Sequence, residues 1–212
     1  MQRSRAAGRL PVVFSGNCHA CLGTLSGLGS RAAIAWFDAH GDLNTPDTTE
    51  TGYFDGMALA TAFGWAWTGL TRQIPGFTPA RESDTLLIGG RDLDGGERAL
   101  LEKSRIAHHA PAALSDGPAR DLSELLAEDS RPRPAYVHLD LDVIDPSALR
   151  ANRFDVPGGV SVAWLEQALR MVRHRHDIAA VGVTAYDPEY APPSQAAPIV
   201  NRLLRALLRT TP

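Results

Sequence analysis

Cysteine is nearly absent: the chain has two thiols, Cys18 and Cys21, among 212 residues. Two thiols cannot build the disulfide framework of a small secreted domain, so a reducing compartment fits. Positive charge is not in excess either. Twenty-one Lys and Arg against 24 Asp and Glu leave a formal net charge of -3, which argues against a general nucleic-acid binder. Arg3, Arg5 and Arg9 make the first residues basic, but no apolar stretch of signal-peptide length follows them. No segment approaches the roughly 18 apolar residues of a membrane span. Neither nucleic acid nor membrane is therefore an expected partner, and the expected location is cytoplasmic. Internal repeats and low-complexity linkers are also missing. With 44 % hydrophobic residues to bury, residues 1–212 read as a single domain with a sizeable core.

What is present is an alternation of short apolar runs with longer helical patterns. Strands are expected at 10–14, Ala33 to Phe37, Thr85 to Ile88, Tyr136 to Leu141 and Ile178 to Thr184, with a weaker one near Ile106. Helices are expected over about 20–29, 56–66, 96–104, 119–128, 161–174 and 195–209. Strands that alternate with helices imply β-α units and a mostly parallel sheet covered on both faces. In such sheets ligands sit beyond the carboxyl ends of the strands.

Three strand ends carry unusual chemistry. The stretch SGNCHACLG places both cysteines after an apolar run, where a redox pair, a metal ligand and two buried thiols are all open readings. In AWFDAHGDLNTP, Asp38, His40 and Asp42 alternate and reach one side if the chain stays extended. In YVHLDLDVIDP, Val137, Leu139 and Leu141 share one face while His138, Asp140 and Asp142 share the other. Carboxylates two residues apart on one face repel each other unless a cation neutralises them. One metal centre shared by both clusters removes both problems. Carboxylates with an imidazole form a hard donor set suited to Mn²⁺ or a similar ion, with ligands enough for two ions about 3.5–4 Å apart.

These motifs resemble those of the ureohydrolases, which include arginase, agmatinase and formiminoglutamase. The matching segments are SGNCHACLG, DAHGDLNTP, IGGRDLDGGE and HLDLDVIDP, and the resemblance runs from about residue 12 to about residue 208. It implies an arginase-like three-layer α/β/α fold with a mostly parallel sheet. It also implies a binuclear manganese cluster held by Asp38, His40, Asp42, Asp140 and Asp142. The family's sixth ligand is a histidine, and Cys18 stands in its place, with His19 one position later. A thiolate there shifts the preference of that metal position toward zinc or ferrous iron. The implied reaction is hydrolysis of a guanidino or amidino C–N bond on an arginine-like amino acid by a hydroxide shared between the metals, with Asp42 orienting it.

On the substrate side the resemblance assigns Asn44 and Thr51 to the α-carboxylate and Asp94 to the α-amino group. Asp55 stands where the family has a proton-shuttling histidine, and is expected to relay the leaving-group proton. Ala185 stands where the family has the glutamate that grips the guanidinium, which opens the alternative of a metal-binding subunit without turnover. His138 matches no family ligand and reads as a supporting donor or a core histidine. Asp145 reads as a loop-ordering residue. Family members carry about two more strands before the first matching segment, so the strand at 10–14 is expected to be a sheet edge. Homo-oligomers pairing through it, or a natural N-terminus beyond residue 1, are expected; a stable, soluble monomer with that edge open would contradict the first.

Overall fold

A computed structural model describes residues 1–29, 32–110, 120–127 and 134–208. Six strands form one sheet: β1 (Val12–Phe14), β2 (Ala33–Asp38), β3 (Thr85–Gly89), β4 (Ala107–His109), β5 (Ala135–Asp140) and β6 (Ile178–Thr184). The described helices are α1 (Gln2–Ala6), α2 (Cys21–Leu28), α3 (Ala58–Ala62), α4 (Thr68–Thr71), α5 (Gly95–Lys103), α6 (Arg120–Ala127), α7 (Val162–Arg175) and α8 (Pro193–Leu207). The sheet order is β1-β6-β5-β2-β3-β4, and every pairing is parallel.

The central strands are apolar on both faces because both faces are covered. Ile34, Trp36 and Tyr136 join one core with Leu22 and Leu25 of α2 and Leu59 of α3. Their neighbours Ala35, Phe37, Val137 and Leu139 join the other, with Leu122 of α6, Trp164 and Leu169 of α7, and Leu203 of α8. The period-2 alternation of a strand thus produces the three layers. Hydrogen-bonded ends hold the helices in place: Ser161 caps α7 at Trp164 N, and Asp94 with Glu97 forms a capping box on α5.

The strand order explains where a site can form. From β2 the chain proceeds to β3 on one side, while from β5 it proceeds to β6 on the other. The loops leaving β2 and β5 therefore diverge and open a crevice between two adjacent strands. Both acidic motifs lie at that crevice. Helices α1 and α4 are not expected from the sequence, and residues 119, 128 and 209 of the expected helices lie outside the described residues. Two further details depart from the expectation. The region expected as one helix over 56–66 is a 3₁₀ turn at Asp55–Met57 followed by α3 and a break, and Gly64 sits there at φ 76°. The expected strand over Leu141 ends at Asp140, where a 3₁₀ turn, Leu141–Val143, begins. At the margin, β1 is an edge strand and its Phe14 is 64 % exposed. No described helix is long and apolar enough to cross a membrane.

Candidate metal centre

Alternation along each strand places Asp38 of β2, His138 and Asp140 of β5, and Thr184 of β6 on the face that carries α2 and α3. The Asp140↔Thr184 register sets the two strand ends level. Asp38 is locked by Trp36 Nε1 donating to Oδ2 at 3.1 Å and by the His40 amide donating to Oδ1 at 2.8 Å. Gly89 of the neighbouring strand has φ 114°, and a Cβ there would lie 2.0 Å from the Asp38 carbonyl oxygen, so only glycine permits this approach.

Two donor sets result. Cys18, Asp38, His138 and Asp140 offer atoms within 4.8 Å of one another, as do Asp38, His40 and Asp142. Asp38 belongs to both. Cys18 Sγ lies 3.0 Å from Asp140 Oδ2, and His40 Nδ1 lies 3.3 Å from Asp38 Oδ1 and 3.4 Å from Asp142 Oδ2. His19 turns away from both sets. Its Nδ1 meets Asp55 Oδ1 at 3.2 Å and its ring stacks on Phe54, so the local geometry brings the thiol, not the adjacent imidazole, to the carboxylates. Cys21 is buried in the core, and both thiols are free.

The extended-chain geometry inferred from the motifs does not hold beyond the strand ends. Asp142 reaches the cluster from the 3₁₀ turn, which Asp140 caps by accepting at Oδ1 from Asp142 N at 2.9 Å. Asp42 has a left-handed backbone, φ 52°, a conformation that costs a non-glycine residue about 1–2 kcal/mol. Asp42 lies outside both compact sets. Its side chain is buried and lines the same cavity, and Oδ2 has no hydrogen-bond partner. An ionised oxygen in that position calls for a cation or a water.

The electrostatics make the same demand. Burial, and next the charge of Asp142, push the Asp38 carboxyl up to about 6. Burial and then neighbouring carboxylates hold Asp42 and Asp140 well above the usual range. Burial opposes a charge on His40, but hydrogen bonds with Asp142 and Asp38 win and push it up to about 12. Burial raises the Cys18 thiol and lowers His138 to about 3. Without a metal, protons neutralise this cluster, and the residues present fit a divalent cation.

A pH prediction follows from these signs. Asp38 rises from 3.8 to about 6 on folding, so the folded chain holds more protons than the unfolded one within that window. Its stabilising contribution is complete below about pH 4 and is lost as pH rises through 6. His40, raised from 6.5 to about 12, acts with the same sign at higher pH. The depressed carboxylates Asp55, Asp142, Asp145 and Glu166 exert their effect at lower pH. Metal-free protein is therefore expected to melt at a lower temperature at pH 8 than at pH 5. Loading with a divalent ion should reverse the slope, because metal competes with those protons. Thermal melts with and without a chelator measure this; a metal-free melting temperature that climbs with pH would contradict it.

Of the expected substrate residues, Asn44, Thr51 and Asp94 all line the cavity, whose volume is about 750 Å³. Asn44 Nδ2 donates to Asp94 Oδ2 at 2.7 Å, while Asp94 Oδ1 accepts from Glu97 N to cap α5. Asp55 also lines the cavity. Burial would raise its carboxyl, yet the His19 and Asn17 side chains and the amides of Cys18 and His19 hold it below the usual range. It stays ionised and clamps the Cys18 turn, which makes it a poor acid near neutrality.

Sequence reasoning passed over Asn152, whose Nδ2 donates to Ala185 O at 2.9 Å and lies 3.3 Å from Asp142 Oδ2. It also passed over Glu97, whose Oε1 accepts from Leu43 N at 3.1 Å and whose carboxyl burial pushes up to about 6. Asn152 lies outside every motif, and Glu97 closes the quoted segment IGGRDLDGGE, where the family resemblance assigns it no role. Asp145 accepts from Ser147, Gly158 and Gly159 and so orders its loop.

A parallel sheet thus gathers buried carboxylates, a thiol and imidazoles at its switch point, a donor set that fits a divalent cation. A sequence model of the Arginase family matches residues 1–209, and the chain belongs to that family. It is 30 % identical to the arginase of Bacillus caldovelox over 206 residues, covering 94 % of this chain and 69 % of that protein. It is 29 % identical to the N(omega)-hydroxy-L-arginine amidinohydrolase of Streptomyces lavendulae, covering 77 % of this chain and 57 % of that protein. The crystal structure of arginase from Bacillus cereus superposes with a TM-score of 0.88 at 25 % identity, covering 99 % of this chain and 74 % of that one.

Proposed function

We propose that this protein is a metal-dependent hydrolase of the ureohydrolase type, cleaving a C–N bond of a guanidino or amidino group on an arginine-like amino acid. The observation that carries the reading is the pair of donor sets joined at Asp38 beside the cavity. Asp38, His40, Asp42, Asp140, Asp142 and Cys18 would hold two divalent ions, manganese first, with zinc or ferrous iron fitting the Cys18 position. When bound, such a pair lowers the pKa of a shared water and makes it a nucleophile at neutral pH.

The chain's own residues supply the rest. Asp42 Oδ2, buried and unpartnered, accepts a hydrogen bond from the nucleophilic water and fixes its direction. Asn44 and Thr51 offer donors to an α-carboxylate, and Asp94 offers an acceptor to an α-ammonium. This polar wall favours an amino acid over a decarboxylated amine such as agmatine. The names of the relatives, an arginase and an N(omega)-hydroxy-L-arginine amidinohydrolase, support the same substrate class. Ala185 and the clamped Asp55 favour a second reading, a metal-binding subunit without turnover.

Metal analysis paired with a substrate screen separates the readings. Arginine, N-hydroxyarginine, agmatine, guanidino acids and formiminoglutamate are incubated with the metal-loaded protein, and urea or formamide release is measured. Release from a substrate bearing an α-amino acid group, with none from agmatine, is expected. Two bound ions without release from any compound would establish the non-catalytic reading, and absence of bound metal would sink both.

A further inference from the structure

The two donor sets differ in chemistry and in access to solvent. In the first, Cys18, Asp38, His138 and Asp140 are only 3 %, 1 %, 0 % and 3 % exposed, and the donors are a sulfur, a nitrogen and two carboxylates. In the second, the His40 side chain is 26 % exposed. A closed four-donor set of S, N and O atoms is the pattern of a tetrahedral zinc position, whereas an open oxygen-rich set suits a harder ion that keeps a place for water.

His138 is the residue that makes the first set complete, and several contacts aim it. Its ring stacks on Trp36 with centroids 3.5 Å apart and planes 3° from parallel. Nδ1 lies 2.9 Å from Tyr136 Oη. That phenol has room only because residue 182 is glycine, where a Cβ would come within 2.3 Å of the Tyr136 oxygen. Stacking and hydrogen bond together fix both the ring plane and its rotation. Nε2 is left pointing along the sheet toward the strand ends, 3.2 Å from Thr184 Oγ1. The same hydroxyl lies 3.4 Å from Asp140 Oδ2 and 3.5 Å from Cys18 Sγ. Three ligand-type atoms, all within 4.8 Å of one another, thus surround a single hydroxyl, which can give its proton to only one of them. Tyr136 supplies the oxygen that a coordinating imidazole needs for its other N–H.

The geometry points to His138 as a metal ligand: Cys18, Asp38, His138 and Asp140 form a closed position for a borderline ion such as zinc, beside an open position at Asp38, His40 and Asp142 for a harder ion. The chain is then built for an unlike pair of metals. The imidazole that the family resemblance places at residue 18, after β1, reaches the centre instead from β5, two strands away, and a thiolate occupies the vacated place. This inference rests on the proposed metal centre, but it makes a claim of its own about which side chains coordinate.

One equivalent of zinc added to the metal-free protein should occupy the closed position. Its X-ray absorption should show one sulfur at about 2.3 Å together with one imidazole. Cobalt in place of zinc should give a sulfur-to-metal charge-transfer band and the intense visible bands of a four-coordinate ion. Cys18→Ser should remove the charge-transfer band. His138→Gln should keep that band, change the visible bands, and weaken zinc binding by more than the roughly 100-fold that loss of an outer partner costs. Tyr136→Phe, which removes only that outer partner, should weaken binding about 10–100-fold with the band pattern intact. Circular dichroism and thermal melts of each metal-free variant report that it is folded, and the wild-type absorption spectrum decides the matter if His138→Gln does not fold. Sulfur without imidazole at the zinc, or a His138→Gln variant with wild-type spectrum and affinity, would overturn the assignment while leaving the hydrolase reading intact. Failure of the wild-type protein to bind any metal would instead overturn the metal centre itself.

Discussion

Asp38→Ala is expected to empty both metal positions at once and to abolish any hydrolysis. Asp38 is the only side chain common to the two donor sets, so its loss removes a ligand from each. Even an outer-shell deletion costs roughly 10–100-fold in metal affinity or activity, and a shared ligand should cost well beyond that. Asp140→Ala should act with a different stoichiometry. Asp140 belongs to the Cys18 set alone, so that ion is lost first, while activity falls with it because the pair no longer exists. Metal content measured per chain after dialysis distinguishes the two results. Unfolding cannot account for them if the metal-free variants melt no lower than the metal-free parent. Removing one of several mutually repelling buried carboxylates relieves a desolvation penalty. Asp38→Ala also orphans the Trp36 and His40 donors, so Asp38→Asn, which keeps acceptors there, is the companion variant. Unchanged metal content in both variants would sink the cluster.

Ala185→Glu is expected to raise kcat/KM for arginine about 10–100-fold. Ala185 lines the cavity and stands where the family resemblance places the carboxylate that grips a guanidinium. A charge-assisted hydrogen bond contributes about 1.5–3 kcal/mol, and each 1.4 kcal/mol is about tenfold. The backbone there is already left-handed, with φ 58°, so glutamate adds no strain that alanine does not bear. The carbonyl of residue 185 keeps its bond from Asn152 whichever side chain is present. Steady-state kinetics on arginine, with agmatine as the comparison, measure the change. A variant that binds metal normally yet gains nothing on arginine would show that the guanidinium end of the substrate lies elsewhere, with Asp187 and Glu189, which line the same cavity, as the nearby acidic candidates.

Much of this is legible in the sequence. The spacing Asp38-x-His40-x-Asp42 and the pair Asp140-x-Asp142 point to a metal because like charges so close in sequence need a counter-ion in almost any local geometry. The parallel sheet was legible for an equally local reason: unbroken apolar runs such as AIAWF between helical patterns describe strands buried on both faces. Exceptions began at the strand ends. The alternation that was to carry Asp42 and Asp142 outward stops at Asp38 and Asp140, where turns take over and backbone hydrogen bonding sets the side-chain directions.

The sequence by itself determined the family, the α/β class, the demand for a cation and most of the candidate donors, since each of these depends on residue type and short-range spacing. Only the tertiary structure decided which donors meet. Adjacency of β2 and β5 joins two motifs about a hundred residues apart, and no local pattern contains that pairing. Asp55 clamps the turn around Cys18, so the thiol faces the carboxylates while His19 turns to Asp55. His138 is the clearest case. In sequence it is one more residue on a strand face; in space Trp36, Tyr136 and Gly182, from three neighbouring strands, orient its free nitrogen toward Thr184. Packing between strands fixes a ring orientation, and ring orientation decides whether a histidine can coordinate.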